Sequence, residues 1–317
     1  MAQINKPDTY FNTVLYTGNG STQSITGVNF QPDWVWIKER NNAVDHKLYD
    51  AVRGATKVLE SSNTGAEGTD VNGLTAFNSD GFSLGSSGSN NGSGDTYVSW
   101  NWLGANGTAS NTDGSITTSV SANTTAGFSI VTYTGNSTAG ATIGHGLGAV
   151  PSLILTKNRT SAFNWHLWTH AFSSYNDTIQ LNTTAGIDTG TLLNNTAPTS
   201  SLITLGSSAV INESGSNQLA YVFAEKKGFS KFGSYTGNGS TDGTFVYTGF
   251  KPAFVILKAS SVAGQNWMMF DNKRNEFNVM NKKLYADNAL AEETSDYLDF
   301  TSNGYKLKTI SSDGNGS

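Results

Sequence analysis

Along Thr96-Tyr-Val-Ser-Trp-Asn-Trp102 the side chains alternate, with Val98, Trp100 and Trp102 on one face and Tyr97, Ser99 and Asn101 on the other. Period two over seven residues predicts a strand with one buried face. The run Trp34-Val-Trp-Ile37 does not alternate and is too short for a helix. Bounded by Pro32 and Lys38, it predicts a central strand covered on both faces, with the proline at its start, where no ladder donor is needed. Thr-Gly-Asn-Gly and Asn-Ser-Asp-Gly segments predict tight turns through positions with φ > 0. Helical patterning is confined to two short stretches, 50–59 and 288–293. The fold class expected is all-β.

The same landmarks occur three times in the same order. Tyr16-Thr-Gly-Asn-Gly-Ser21 returns as Tyr133-Thr-Gly-Asn-Ser-Thr138 and Tyr235-Thr-Gly-Asn-Gly-Ser240. Pro32 to Lys38 returns as Pro151 to Lys157 and Pro252 to Lys258, so three of five prolines hold one position. His46-Lys-Leu-Tyr-Asp50 matches Trp165-His-Leu-Trp-Thr169 and Trp267-Met-Met-Phe-Asp271. Phe77-Asn-Ser-Asp-Gly-Phe-Ser-Leu84 weakens to Ser201-Leu-Ile-Thr-Leu205 and is restored as Phe300-Thr-Ser-Asn-Gly-Tyr-Lys-Leu307. The closing strand 96–102 is matched by Asn217-Gln-Leu-Ala-Tyr-Val-Phe223 and has no third counterpart.

The chain is therefore read as three tandem diverged antiparallel β-sandwich (jelly-roll-like) modules with very little helix, at 13–105, 127–227 and 228–317. Residues 1–12 form an N-terminal docking arm, and 106–126 a Ser/Thr/Asn-rich linker or hairpin. The short connection at 225–228 predicts that copies two and three hold together tightly, with copy one hinged more loosely. Either the natural chain runs on to supply the third closing strand, which is the reading adopted, or another chain supplies it.

Composition narrows the function. Aromatics at 11% argue for order, while only 14% of residues are charged and polarity comes from Gly, Ser, Thr and Asn. A net charge of −5 without a basic stripe argues against nucleic acid. No apolar run approaches a membrane span, and the absence of cysteine removes disulfide and thiolate chemistry. His166 and His170 would share a strand face but have no third ligand at metal spacing. No carboxylate recurs in all three copies, so a glycosidase pair has no repeated basis. No cofactor, metal or catalytic residue is assigned. The candidates for surface binding are Trp34 and Trp36, which share a face, and the three repeated lysines Lys38, Lys157 and Lys258.

Taken together, Tyr-Thr-Gly-Asn-Gly-Ser, Phe-x-Pro-x-x-Val-x-Ile-Lys and Phe-x-Ser-[Asp/Asn]-Gly-[Phe/Tyr]-x-Leu resemble a repeat domain of unassigned function in virion and tail-fibre-like proteins of marine bacteriophages (cyanophage and pelagiphage types). The resemblance runs from Val14 onward. It implies a non-enzymatic virion structural protein, a tail fibre or tail-associated protein contacting the host surface. A capsid head fibre or decoration protein is the alternative, and a glycan depolymerase the third reading. The partners expected are other virion proteins through the arm, a homo-oligomer (a trimer) and a host cell-surface glycan. The site would be the phage particle, after synthesis in the host cytoplasm.

Overall fold

The computed structural model describes residues 3–316. With 38% of residues in strands and 4% in helix, the chain is all-β, built of antiparallel sheets in sandwich arrangement. Copy one contains β1 (Phe11–Thr17), β2 (Gln23–Ile25), β3 (Trp34–Glu39), β4 (Lys47–Asp50), β5 (Lys57–Val58), β6 (Gly68–Thr69), β7 (Leu74–Asn78), β8 (Gly81–Leu84) and β9 (Thr96–Trp102). A single helical turn, α1 (Gly88–Asn91), precedes the last strand. The inner sheet runs β1-β9-β3-β4 and the outer sheet β2-β8-β7. Val35, Ile37, Tyr49 and Tyr97 of the inner sheet meet Ile25, Leu74, Phe82 and Leu84 of the outer one.

Copy two is preceded by a hairpin, β10 (Ala109–Asn111) and β11 (Thr118–Asn123), within the predicted linker. It continues with β12 (Phe128–Thr134), β13 (Thr142–Gly144), β14 (Leu153–Asn158), β15 (His166–Thr169), β16 (Asp177–Gln180), β17 (Asp188–Thr189) and β18 (Leu202–Thr204). The turn α2 (Ala209–Asn212) and β19 (Asn217–Phe223) close it. The hairpin adds to the edge of its inner sheet, giving the order β10-β11-β12-β19-β14-β15-β16-β17, while β13 and β18 form the outer layer.

Copy three holds β20 (Phe245–Tyr247), β21 (Phe254–Leu257), β22 (Met268–Asp271), β23 (Met280–Tyr285), β24 (Glu293–Thr301) and β25 (Gly304–Leu307). They form one folded-over sheet, β20-β25-β24-β23-β22-β21.

The Pro-to-Lys strand behaves as its composition dictates. β3 lies between β9 and β4, and all six of its residues are buried. β14 lies likewise between β19 and β15. The alternating strand β9, expected to bury one face, buries both: Val98, Trp100 and Trp102 point to one core, Tyr97 to another, and Ser99 and Asn101 are fully buried. Asn101 is accommodated because its Nδ2 donates to the carbonyls of Asn12 and Ser99.

The three inner sheets share one core. Trp34, Trp36, Val98, Trp100 and Trp102 of copy one pack with Phe128, Leu155, Trp165 and Tyr221 of copy two and with Trp267, Met269 and Leu284 of copy three. Copy one is therefore no loosely hinged module, since its inner face is buried against both others. A sheet apolar on both faces needs a second cover, and here the neighbouring copies supply it.

The turn motif has a different basis from the one its glycines suggested. The anchor tyrosine donates to a backbone carbonyl in each copy: Tyr16 to Asn90 at 2.7 Å, Tyr133 to Ile211 at 2.7 Å and Tyr235 to Gly314 at 2.6 Å. The next residue along from each accepting carbonyl is a fully buried asparagine, Asn91, Asn212 and Asn315. Its Oδ1 accepts the N–H of Asn19, Asn136 or Asn238, tying the turn down. The first glycine, Gly18, Gly135 or Gly237, lies against this same segment, where a Cβ would run into the carbonyl oxygen of Gly92, Glu213 or Gly316. Only the later position needs φ > 0, at +70° in Gly20, +64° in Gly239 and +57° in Ser137. Gly135→Ala is thus expected to destabilise by about 1–3 kcal/mol through steric overlap with backbone that cannot move aside. The urea midpoint reads this directly.

Neither predicted helix forms. At 50–59, Asp50 accepts the Arg53 N–H in a turn and Gly54 takes φ +97°, which ends any helix there. At 288–293, Asn288 accepts the Leu290 N–H in a comparable turn. The N-terminal arm is also not free from residue 3 onward. Ile4 is buried and donates its N–H to Lys227 O, and Tyr10 packs edge-on against Phe229. Residues 11 and 12 already belong to β1, while Met1 and Ala2 of the predicted arm lie outside the described residues.

Candidate functional site

The polar groups that recur between copies meet at the seams, in cyclic order. The N–H of Glu67 donates to Arg159 O at 2.8 Å, that of Ile187 to Ser260 O at 2.9 Å, and that of Glu292 to Arg40 O at 2.7 Å. Copy one thus binds copy two, two binds three, and three binds one. A second cycle uses the position shared by His46, Trp165 and Trp267. Trp165 Nε1 donates to Glu60 O at 2.8 Å, Trp267 Nε1 to Gln180 O at 2.9 Å, and His46 Nε2 lies 2.7 Å from Tyr285 O.

The five residues proposed for surface binding are taken up inside the fold, four of them at contacts between copies. Trp34 and Trp36 are each 2% exposed, so they form no surface patch. Trp34 stacks on Trp102 and on Tyr221 of copy two, both at 4.2 Å between ring centres. Lys38 and Lys157 are fully buried and Lys258 half-buried. Each ammonium caps carbonyls of a following loop: Lys38 at Glu39 and Asn42, Lys157 at Phe163, and Lys258 at Gln265. Lys157 and Lys258 also reach the preceding copy, at Thr64 O and Thr184 O. Burial pushes Lys38 and Lys157 down to about 8, and lowers Lys258. In copies two and three the strand ends against the preceding copy, so its terminal lysine meets a neighbour where a single sandwich would offer water.

Two seams carry a buried ion network. Arg53 pairs with Asp50 and, at 3.1 Å, with Glu67, which also takes Arg159 of copy two at 2.8 Å. Arg274 pairs with Asp271 at 2.6 Å and with Glu292, which takes Arg40 of copy one at 2.8 Å. The closing strand of the neighbouring copy completes each: Tyr221 donates to Asp50 at 2.8 Å, and Trp100 to Asp271 at 3.1 Å. At the third seam the corresponding residues are Thr169, Phe172, Ile187 and Ser260, an uncharged set. The sequence does not reveal these networks, because each joins segments far apart in the chain. One trace was available: Arg40 and Arg159 each follow a repeated lysine by two residues.

His46 introduces pH dependence. Trp36 donates to its Nδ1 at 2.7 Å while Nε2 faces Tyr285 O, so the neutral ring satisfies both partners. Burial, then the charges of Lys38 and Arg274, lower its pKa well below the usual value, with the Tyr285 carbonyl opposing. The unfolded chain then takes up a proton first as pH falls, and stability from this group is present above about pH 6.5 and lost below it. His46→Gln keeps an acceptor and a donor but does not titrate. The stability of the wild type relative to H46Q is expected to fall by about 2 kcal/mol between pH 7.5 and pH 5. Measuring the difference cancels the opposite trend from Asp33 and Asp287, which burial raises to about 6.

Among the described residues, the most exposed aromatic side chains lie on copy three. Phe277 is 80% exposed, Tyr247 65% and Phe245 44%. Phe277 borders a shallow hollow of about 340 Å³ with Lys251, Lys273, Glu276 and Asn278. Phe245 and Tyr247 lie on the edge strand β20, which pairs with β25 through Tyr247 opposite Gly304. Exposed rings beside ammonium groups suit a ligand with apolar sugar faces and polar or anionic substituents. The positions of Phe245 and Tyr247 hold Ser24 and Thr26 in copy one, so the repeat could not point to these rings.

No curated protein and no solved structure matches the chain. The family model described as a domain of unknown function (DUF7483) matches residues 6–317, a stretch that takes in all three copies and every seam between them, and the chain belongs to that family.

Proposed function

We propose that the chain is a non-enzymatic structural component of a phage particle that contacts the host surface, through the exposed aromatic and basic residues of copy three. The observation that carries the reading is the exposed Phe277 beside Lys251 and Lys273 in one hollow, with Phe245 and Tyr247 also exposed on that copy, while the recurrent side chains are turned inward to join the copies. Exposed aromatic side chains beside charged groups are a common feature of surfaces that bind a partner. The inward groups are taken up by structure: the repeated lysines cap carbonyls, and the buried arginines are paired with carboxylates. The resemblance to marine phage virion repeats gives the setting, a tail fibre or tail-associated protein.

Phe277→Ala is expected to change stability by less than about 0.5 kcal/mol, because the ring is exposed. It is expected to abolish competition by the purified protein for adsorption of particles to their host. Unchanged competition by F277A would remove the copy-three face from the reading. Gold labelling of intact particles with an antibody to 235–258 tests the location: label at the tail supports it, and label over the head assigns the chain to capsid decoration instead.

A further inference from the structure

In copies one and two the Pro-to-Lys strand is paired on both sides, whereas in copy three it is paired on one. β9 sits between β1 and β3, and β19 between β12 and β14. β21 pairs with β22, and its opposite edge has no strand partner among the described residues. The difference shows in burial: β3 is buried throughout, while Phe254, Val255 and Ile256 of β21 are each partly exposed. The edge carries none of the usual protection. Phe254-Val-Ile-Leu257 contains no charge, proline or bulge to deter a pairing strand.

The frame around this edge is nevertheless built as in the other copies. Tyr235 bonds Gly314 O, Asn238 N–H bonds Asn315 Oδ1, and Gly239 N–H bonds Asn315 O at 2.8 Å. The matching contacts of copies one and two flank β9 and β19. The 230–236 segment, which corresponds to β1 and β12, is not in strand conformation.

We propose that the open edge of β21 is a strand-accepting site, which binds an extended polypeptide segment of the repeat's own closing-strand pattern, antiparallel to β21. The inference does not depend on the host-contact reading. The two filled sites give the register. Trp34 faces Trp102 and Trp36 faces Trp100, as Leu153 faces Phe223 and Leu155 faces Tyr221. The incoming strand therefore sets large apolar side chains opposite Phe254 and Ile256, directed into the shared core, with small or β-branched residues between them. Its residue opposite Ile256 corresponds to Trp100 and Tyr221, which donate to Asp271 and Asp50. At this seam the corresponding positions hold Thr169 and Phe172, and Thr169 Oγ1 is already engaged with Ser152 O at 3.0 Å. An aliphatic or phenyl side chain fits there better than one with a polar tip. Ladder hydrogen bonds supply affinity and the alternating side chains supply selectivity.

The test titrates the 317-residue protein with a lysine-tagged peptide of the sequence 217–223, with the same peptide carrying Phe in place of its tyrosine, and with a scrambled peptide of the same composition. Amide hydrogen exchange locates the binding. The account predicts saturable binding of both ordered peptides, tighter for the Phe version, with exchange at 254–257 slowed at least about tenfold. The scrambled peptide, and an ordered peptide N-methylated at alternate residues on the ladder side, should give neither. Equal binding of the scrambled peptide, or protection confined to β20 or the Phe277 hollow, would overturn the proposal. So would a peptide-free protein that sediments as a dimer with 254–257 already protected, because the edge would then belong to a second copy.

Discussion

Arg53→Ala is expected to destabilise the chain by about 3–5 kcal/mol, the range for removing one partner of a buried ion pair. Arg53 and Asp50 side chains have no exposure, and Arg53 also donates to Leu48 O at 2.9 Å. Without the guanidinium, the Asp50 carboxylate keeps only the Tyr221 hydroxyl and the Arg53 N–H as donors. Glu67 would lose one of its two arginines. Burial by itself would raise the Glu67 carboxyl, but Arg159 and Arg53 outweigh it and hold it below the usual range. Stability from Glu67 is therefore present above the unfolded carboxylate pKa and is lost as pH falls through the folded one. The loss in R53A should be read as a lower urea midpoint and should shrink in acid. The chain itself supplies a control, because the third seam builds the same corner from Thr169, Phe172, Ile187 and Ser260. Exchanging all four positions together, as Asp50→Thr, Arg53→Phe, Glu67→Ile and Arg159→Ser, removes the orphaned charge along with its partners. The quadruple variant is expected to recover at least half of the loss. If it is no better than R53A, the network contributes something other than charge pairing.

Trp34→Ala is expected to cost about 3–5 kcal/mol, the usual range for emptying a buried aromatic site. The ring touches Trp102 and Tyr221 at 4.2 Å and Phe128 at 5.7 Å, so the cavity would open between copies one and two. The corresponding residues Leu153 and Phe254 are only partly buried, and Leu153→Ala should cost less. The comparison separates a core role from a binding role. A surface-binding tryptophan would lose ligand affinity without changing the urea midpoint, and the present account predicts the reverse.

The strands were legible because they carry their own period. The alternation of 96–102 and the bare apolar runs at 34–37 and 254–257 each became a strand where the pattern placed it. The repeat was legible because one proline, one lysine and one Tyr-Thr-Gly-Asn turn return in register. What stayed hidden is what depends on contacts between copies. Trp34 reads the same in a sequence whether water or Tyr221 faces it. Lys157 looks like a strand-end lysine until Thr64 O from copy one closes over its ammonium. Asn212 sits in an undistinguished Asn-Glu-Ser-Gly stretch, and its role appears only when it bonds Asn136, seventy-six residues away. The two short stretches with helical periodicity failed for a local reason, because an Asp or Asn side chain captured the next turn's N–H before a helix could extend.

Residue exchange also shows compensation within the repeat. Copy one pairs Trp36 with His46, whereas copy two pairs Leu155 with Trp165 and copy three Ile256 with Trp267. In each case one large ring fills the same space in the shared core, and one N–H reaches the neighbouring copy's carbonyl. Volume and a single hydrogen bond are what each site conserves.

The central claim is that the three copies fold as one unit closed around a shared core. Its most direct test is hydrogen exchange followed by mass spectrometry across a urea titration of the intact chain. The account predicts that strand peptides of all three copies, including β3, β14 and β22, lose protection together at one midpoint, because none retains its inner-face cover once another leaves. Loss of protection in three separate steps, one copy at a time, would contradict it and leave three independent sandwiches on a string.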